Sequence, residues 1–263
     1  MNSRFEKVYF FIAAALLLFG AQAPTHAADN DPRMSGPRSL LIAYHTTPAN
    51  REKLRSYMLG AGLKDFAQWK RDGAIADYHV YFNRYVDSDN WDMFANVTLA
   101  AENGTARWAQ IEASHPAGLG EAAVALTTAV HTTVADLMRS KSKPAKAGKP
   151  PVYLMIPYDY LVSVNDYIKY VDAYVLPQTD GWVDEKVLSG YGFYLSRYPA
   201  GRPWSAMFVF EYAGEDGLGS RDVTVAKVRE RLKQNPDWKA IADNKQNVRK
   251  ELQPVVADEL IAH

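Results

Sequence analysis

Two histidines and a run of alternating polar side chains are the residues best suited to chemistry. His79, Tyr81, Asn83 and Tyr85 alternate along one side of an aromatic segment, and His45 closes a short apolar run nearby. An imidazole titrating near neutrality can serve as a general base or a metal ligand. A lone strand histidine is more commonly a hydrogen-bonded structural residue, and a one-residue slip would turn this whole set to the opposite face. Residues 191–198 match this segment in type, and there Gly192, Tyr194, Ser196 and Tyr198 take the alternating places. His45, His79, Tyr81, Asn83 and Tyr194 are therefore the expected ligand-binding residues, with His45 corresponding to Tyr158.

Arg84 and Arg197 recur, each followed by tyrosine. They could clamp an anion, or could sit at strand ends, stacking on Trp91 and Trp204 or pairing with Glu102 and Glu215. Recurrence favours the structural role. The tyrosines at 153, 158, 160, 167, 170 and 174 could form an aromatic surface, but helical spacing explains much of the set as core. His131 sits alone among Ala, Thr and Val, and His115 precedes Pro116 like a cap. No HExxH, GxSxG or glycine-rich phosphate loop is present. No metal or cofactor is expected.

The elements that must carry these residues repeat. Trp69 and Trp182, Trp91 and Trp204, Tyr57 and Tyr170, Tyr78 and Tyr191, Tyr81 and Tyr194, and Arg84 and Arg197 all lie 113 residues apart. Rare residue types in one ungapped register indicate a tandem duplication, with copies at about 38–139 and 150–261. Residues 140–151, SKSKPAKAGKPP, lack any large apolar side chain and read as the linker. Val134-Ala135-Asp136 and Val256-Ala257-Asp258 close the two copies alike.

Within each copy an apolar strand leads to a helix, then to a hairpin, a second helix and a closing strand. Thr47-Pro48 looks like one helix start, and Pro177 like the stop of the matching helix. This β-α-β-β-α-β order is the ferredoxin-like unit, an antiparallel sheet with helices on one face. Phe193, Leu195, Met207 and Val209 alternate with Tyr194, Tyr198, Phe208 and Phe210, so both faces of that sheet are apolar and the second needs a cover. Two units packed sheet to sheet would supply it. In this element order and duplication the chain resembles the dimeric α/β-barrel superfamily in fused form. That resemblance implies an α+β fold, a pseudo-dimeric α/β barrel; such families include cofactor-free oxygenases, isomerases and haem proteins.

Composition bounds the rest. The chain has 263 residues, thirty basic and thirty acidic side chains, and no cysteine. Disulfides and thiolate chemistry are excluded, and nothing in the charge balance steers toward nucleic acid. Arg4 and Lys7, an apolar run from Val8 to Gly20 and small residues up to Ala27 have the layout of a secretory signal peptide. Residues 1–27 are thus expected to be removed, and the mature protein to be periplasmic or secreted, a monomer or homodimer without a membrane anchor. The sequons at Asn96 and Asn103 read as coincidence. Three functions stay open: binding of a small aromatic or apolar molecule between the repeats, a cofactor-independent oxygenase or isomerase, or a packed structural protein.

Overall fold

The computed structural model describes residues 31–143 and 150–261; the leader at 1–27 and half of the expected linker lie outside them. The first half runs β1 (Arg38–Thr46), α1 (Arg51–Tyr57), a π-helical turn (Met58–Gly62), α2 (Leu63–Arg71), β2 (Ile75–Asn83), β3 (Met93–Leu99), α3 (Gly104–Glu112), α4 (Glu121–Val124) and β4 (Thr127–Ser142). The second runs β5 (Val152–Tyr160), α5 (Val164–Tyr170), a π-helical turn (Val171–Val175), α6 (Leu176–Asp184), β6 (Leu188–Ser196), β7 (Ala206–Tyr212), α7 (Gly214–Gly219), α8 (Arg221–Leu232), α9 (Pro236–Asn244), β8 (Arg249–Glu251) and β9 (Val255–Glu259). Among the described residues no helix is long and apolar enough to cross a membrane.

Each half builds an antiparallel sheet in the order β4-β1-β3-β2 or β9-β5-β7-β6. The sheets join edge to edge, β2 with β9 and β4 with β6, so eight strands close into a barrel. Closure leaves none of these eight strands as a free edge. β8 continues the β9 position along the far end of β5. β4 reaches Ser142, opposite Gly190, so the strand extends three residues into the stretch expected to be linker.

Period-two alternation sorts the side chains into three cores. Ile42, Tyr44, Val80 and Phe82 lie beneath the helices of the first half. Leu154, Ile156, Phe193 and Phe208 do the same in the second. Leu41, Tyr81, Phe94, Tyr153, Tyr194, Met207 and Val209 fill the barrel. The cover that the second sheet face requires is therefore the other half's sheet.

Local geometry repeats with the sequence register. The π-helical turns, β2 and β6, and β3 and β7 start and end 113 residues apart. So do the bulges at Ile75/Asp77 and Leu188/Gly190. Trp69 lies in α2 and Trp182 in α6; Trp91 and Trp204 precede β3 and β7. Two expected boundaries shift. Thr47 and Pro48 form a turn before α1, whose cap is Asn50. Pro177 does not stop its helix: it falls in the first turn after the π-helical turn, where a missing N–H is tolerated, and α6 continues to Asp184.

Candidate functional site

The barrel is packed through its middle and opens at the end where both hairpin loops meet. There lies a cavity of about 220 Å³. Trp91 and Trp204, at equivalent places before β3 and β7, form part of its wall. The first half adds Ala43 and His45 from β1, Phe94 from β3 and His131 from β4. The second adds Met155 and Pro157 from β5, Met207 from β7, and Leu252 and Val255. The first half thus brings imidazole and aromatic side chains and the second mostly apolar ones with Trp204, while Asp89, Asn90 and Gln253 add polar groups to the lining. Such a site suits a flat apolar ring with one polar substituent.

A buried polar brace fixes the first-half wall. The Asp92 carboxylate accepts from the Thr46 N–H at 2.8 Å and from Arg51 Nε at 3.0 Å. Arg51 also donates to the Asn83 carbonyl and lies 4.3 Å over the Phe82 ring. Asn83 Nδ2 donates to the Trp91 carbonyl at 3.0 Å, and its Oδ1 accepts from the Tyr85 N–H at 3.0 Å. These bonds tie the end of β1, beside His45, to the loop that carries Trp91. In the second half Ser205 replaces Asp92 and accepts from the Tyr160 N–H at 3.1 Å.

His45 and His131 meet edge to face with ring centroids 5.5 Å apart. His131 is exposed at the mouth and His45 is half-buried. Burial, then the neighbouring His131, hold the His45 imidazole below the ordinary histidine range; the Asp92 charge and the Asn90 backbone pull the other way. His45 is therefore neutral at pH 7 and able to accept a proton. Behind the pair is a second, polar cavity of about 360 Å³ with Thr46, Thr47, Asp87 and Asp92 on its walls. Both histidines line both cavities.

Of the residues expected from sequence, His45 lines the cavity; His79, Tyr81, Asn83 and Tyr194 do not. His79, Tyr81 and Asn83 do share the barrel-facing side of β2, but His79 lies level with Asn96 and Leu41, four residues from His45 along β1. That is about 13 Å at strand spacing. His79 occupies the opposite rim, with its side chain 45% exposed and Nδ1 2.6 Å from Glu259 Oε1. The Glu259 bond, opposed by burial, raises its pKa above the ordinary value. Tyr81 fills the barrel between His79 and Tyr153, and Tyr194 accepts from Asn96 Nδ2 at 2.7 Å. Asn83 is part of the brace. Asn96, a sequon residue, is buried inside the barrel.

Strand register also corrects one correspondence. Tyr158 faces Ala206 as Tyr44 faces Met93, so the equivalent of His45 is Asp159. Sequence reasoning passed over His131. Its signal was the alternation His131, Thr133, Ala135 against Val130, Thr132, Val134, which marks a strand with His131 facing inward.

The recurring arginines span the seams between halves. Arg197 bonds Asp136 Oδ1 from Nε at 2.9 Å and Nη2 at 2.7 Å. Arg84 bonds Asp258 at 2.6 Å and Glu215 at 2.6 Å. Neither lines the cavity. Among the described residues no cluster of three or more histidines and carboxylates could hold a metal.

Solved structures share this architecture. A candidate monooxygenase from Lactobacillus acidophilus NCFM superposes with a TM-score of 0.55 at 12% identity, over 86% of this chain and 95% of that one. Another, from Fusobacterium nucleatum subsp. nucleatum, gives 0.53 at 10% identity over 87% and 94%. An anthrone oxidase-like protein gives 0.53 at 12% over 88% and 92%. The fold is the dimeric α/β barrel. At these identities the likeness is one of fold alone. No family model matches the chain, and no curated protein does.

Proposed function

We propose that this protein binds a small aromatic or apolar molecule in the barrel-end cavity, with its polar substituent against His45 and His131. The observation that carries this is the cavity's lining: one tryptophan from each half at equivalent places, Phe94 and a histidine pair from the first half, and mostly apolar side chains from the second. At about 220 Å³ it takes one or two fused rings. Native mass spectrometry of the purified protein should reveal a co-purified ligand or, after stripping, uptake of a probe such as 1-naphthol. Trp204→Leu should weaken 1-naphthol binding roughly tenfold, the worth of one aromatic contact. Binding unchanged in both Trp204→Leu and Trp91→Leu would exclude this cavity.

A second reading is favoured by the neutral, half-buried His45. It could take a proton from an acidic C–H of a bound ring, His131 passing it to solvent, and dioxygen or reprotonation would complete an oxygenase or isomerase cycle. The fold neighbours described as candidate monooxygenases and as anthrone oxidase-like agree with such chemistry. Oxygen uptake with a bound hydroxyaromatic, abolished in His45→Ala at ligand concentrations that still fill its cavity, would distinguish catalysis from binding.

We take the halves as copies of one ancestral unit, on the strength of the shared 113-residue register in sequence and element boundaries. We also take residues 1–27 as an export signal, with a periplasmic or secreted mature protein. N-terminal sequencing of exported protein should begin near Ala28; a retained Met1 overturns this.

A further inference from the structure

The two seams between the halves are built alike and covered differently. In the second half Arg84 holds Asp258 and also takes the Glu215 carboxylate, each at 2.6 Å. In the first half Arg197 holds Asp136 at 2.7 Å. Glu102, which lies 113 residues before Glu215, is exposed, and among the described residues it forms no ion pair with Arg197. The backbone explains the difference. Gly214 takes a φ of 76 and α7 begins there, which sets Glu215 in the first helical turn. The counterpart of Gly214 is Ala101, whose side chain disfavours that conformation. The chain turns instead at Asn103, with φ 55, and α3 begins only at Gly104. Glu102 is left outside the helix.

The result is an uncovered pocket. Arg197 lines a space of about 800 Å³, together with Arg38 at the start of β1 and with Asn103, Gly104, Thr105 and Ala106. The equivalent space of the second half is about 240 Å³, lined by Arg84 with Glu215, Asp216 and Asp258. The first-half pocket has no carboxylate on its walls, and it has a second arginine where the other half has Pro151. Arg38 donates to Thr105 Oγ1 at 2.6 Å, and among the described residues it is in no ion pair. Asp31, the next carboxylate along the chain, accepts from Arg33 Nε at 2.9 Å and does not line the pocket. Thr105 and Ala106 add N–H groups that lack acceptors within α3, and the Asn103 side chain does not cap them.

We propose that this seam pocket binds a phosphate group, free or carried on a small organic molecule. The phosphate takes the place over Arg197 that the Glu215 carboxylate holds over Arg84, and it bridges to Arg38. An arginine already held by an aspartate still accepts a second anion, as Arg84 does, so Asp136 does not fill this role. Two guanidinium groups beside the first turn of a helix offer more donors than one carboxylate can accept, which favours a tetrahedral dianion. No residue lines both this pocket and the barrel-end cavity, so the two sites are independent.

Isothermal titration calorimetry of the purified protein at low ionic strength, with inorganic phosphate and with phenyl phosphate, tests this. Both should bind; equal affinities identify the phosphate group alone as the ligand, and tighter phenyl phosphate identifies an organic ester. Arg38→Gln should weaken binding roughly tenfold, the worth of a hydrogen bond to a charged group. Thr105→Glu should abolish it, by giving the first half the covering carboxylate that Glu215 supplies in the second. Both substitutions leave the buried Arg197–Asp136 pair in place. Arg84→Gln, at the other seam, should leave phosphate binding unchanged. Failure of both compounds to bind, binding that survives both Arg38→Gln and Thr105→Glu, or binding lost in Arg84→Gln instead overturns the proposal.

Discussion

His45 and His79 show how the same side chain takes opposite roles from its place on a strand. His45 is desolvated beside another imidazole, which disfavours its charged form. His79 faces Glu259, which favours its charged form, and Tyr153 donates to the other oxygen of that carboxylate at 2.8 Å. Because the folded-state pKa of His79 is raised, the pair stabilises the fold fully below the ordinary value of 6.5 and loses that contribution as pH rises through the folded value. With 45% of the side chain exposed the effect is modest, about 0.2–1 kcal/mol. Urea unfolding from pH 6 upward should therefore show wild-type stability falling across this window, while His79→Gln is flatter. Equal pH slopes in the two proteins would remove the ion pair from the account. This histidine was legible as barrel-facing from its alternation with Val80. Its distance from His45 was not, because depth along the barrel depends on how β2 registers against β3 and β1.

The two seams repeat one device at different depths. Asp136 is 0% exposed and Arg197 9%, whereas Asp258 is 49% exposed and Arg84 21%. Removing one partner of the buried pair leaves a charge without compensation, so Arg197→Met should cost about 3–5 kcal/mol. Adding Asp136→Leu should restore most of that. Arg84→Met at the exposed seam should cost at most about 1 kcal/mol. Thermal and urea unfolding of the variants measures each; a cost below 1 kcal/mol for Arg197→Met would show the buried seam to be dispensable. The 113-residue register made the elements legible, and the backbone keeps the same register at the positive-φ residue that precedes each second strand: Gly73 at φ 68 and Lys186 at φ 64. Glycine adopts that conformation without strain, so Lys186→Gly should raise stability by about 0.5–1 kcal/mol in the same assay. The aspartate partners of the arginines were not legible, since they lie in the closing strand of the other half. Nor was the single-residue shift of β5 relative to β1, because neither Asp159 nor Tyr158 marks its own register.

At the scale of the molecule, each half is a sheet with one finished face. The other face carries Leu41, Tyr81, Phe94 and Ala135 in the first half and Tyr153, Met155, Tyr194, Met207 and Val209 in the second. Both edges of each sheet need partners as well. A polypeptide of residues 31–143 alone should therefore expose apolar surface and strand edges, and so should 150–261. Each half holds an arginine and an aspartate of the seam type, so each could pair with itself, but the contacts inside the barrel are matched across halves. Asn96 donates to Tyr194, and His79 meets Glu259, whereas in a pair of first halves the strand residue after Asp136 is the apolar Leu137. Co-expressed halves should thus assemble as the mixed pair, with the cavity between Trp91 and Trp204 restored. Native mass spectrometry distinguishes the mixed from the like pairs, and 1-naphthol binding reports on the cavity. Halves that are each soluble and monomeric would refute the pseudo-dimeric barrel as the unit of stability.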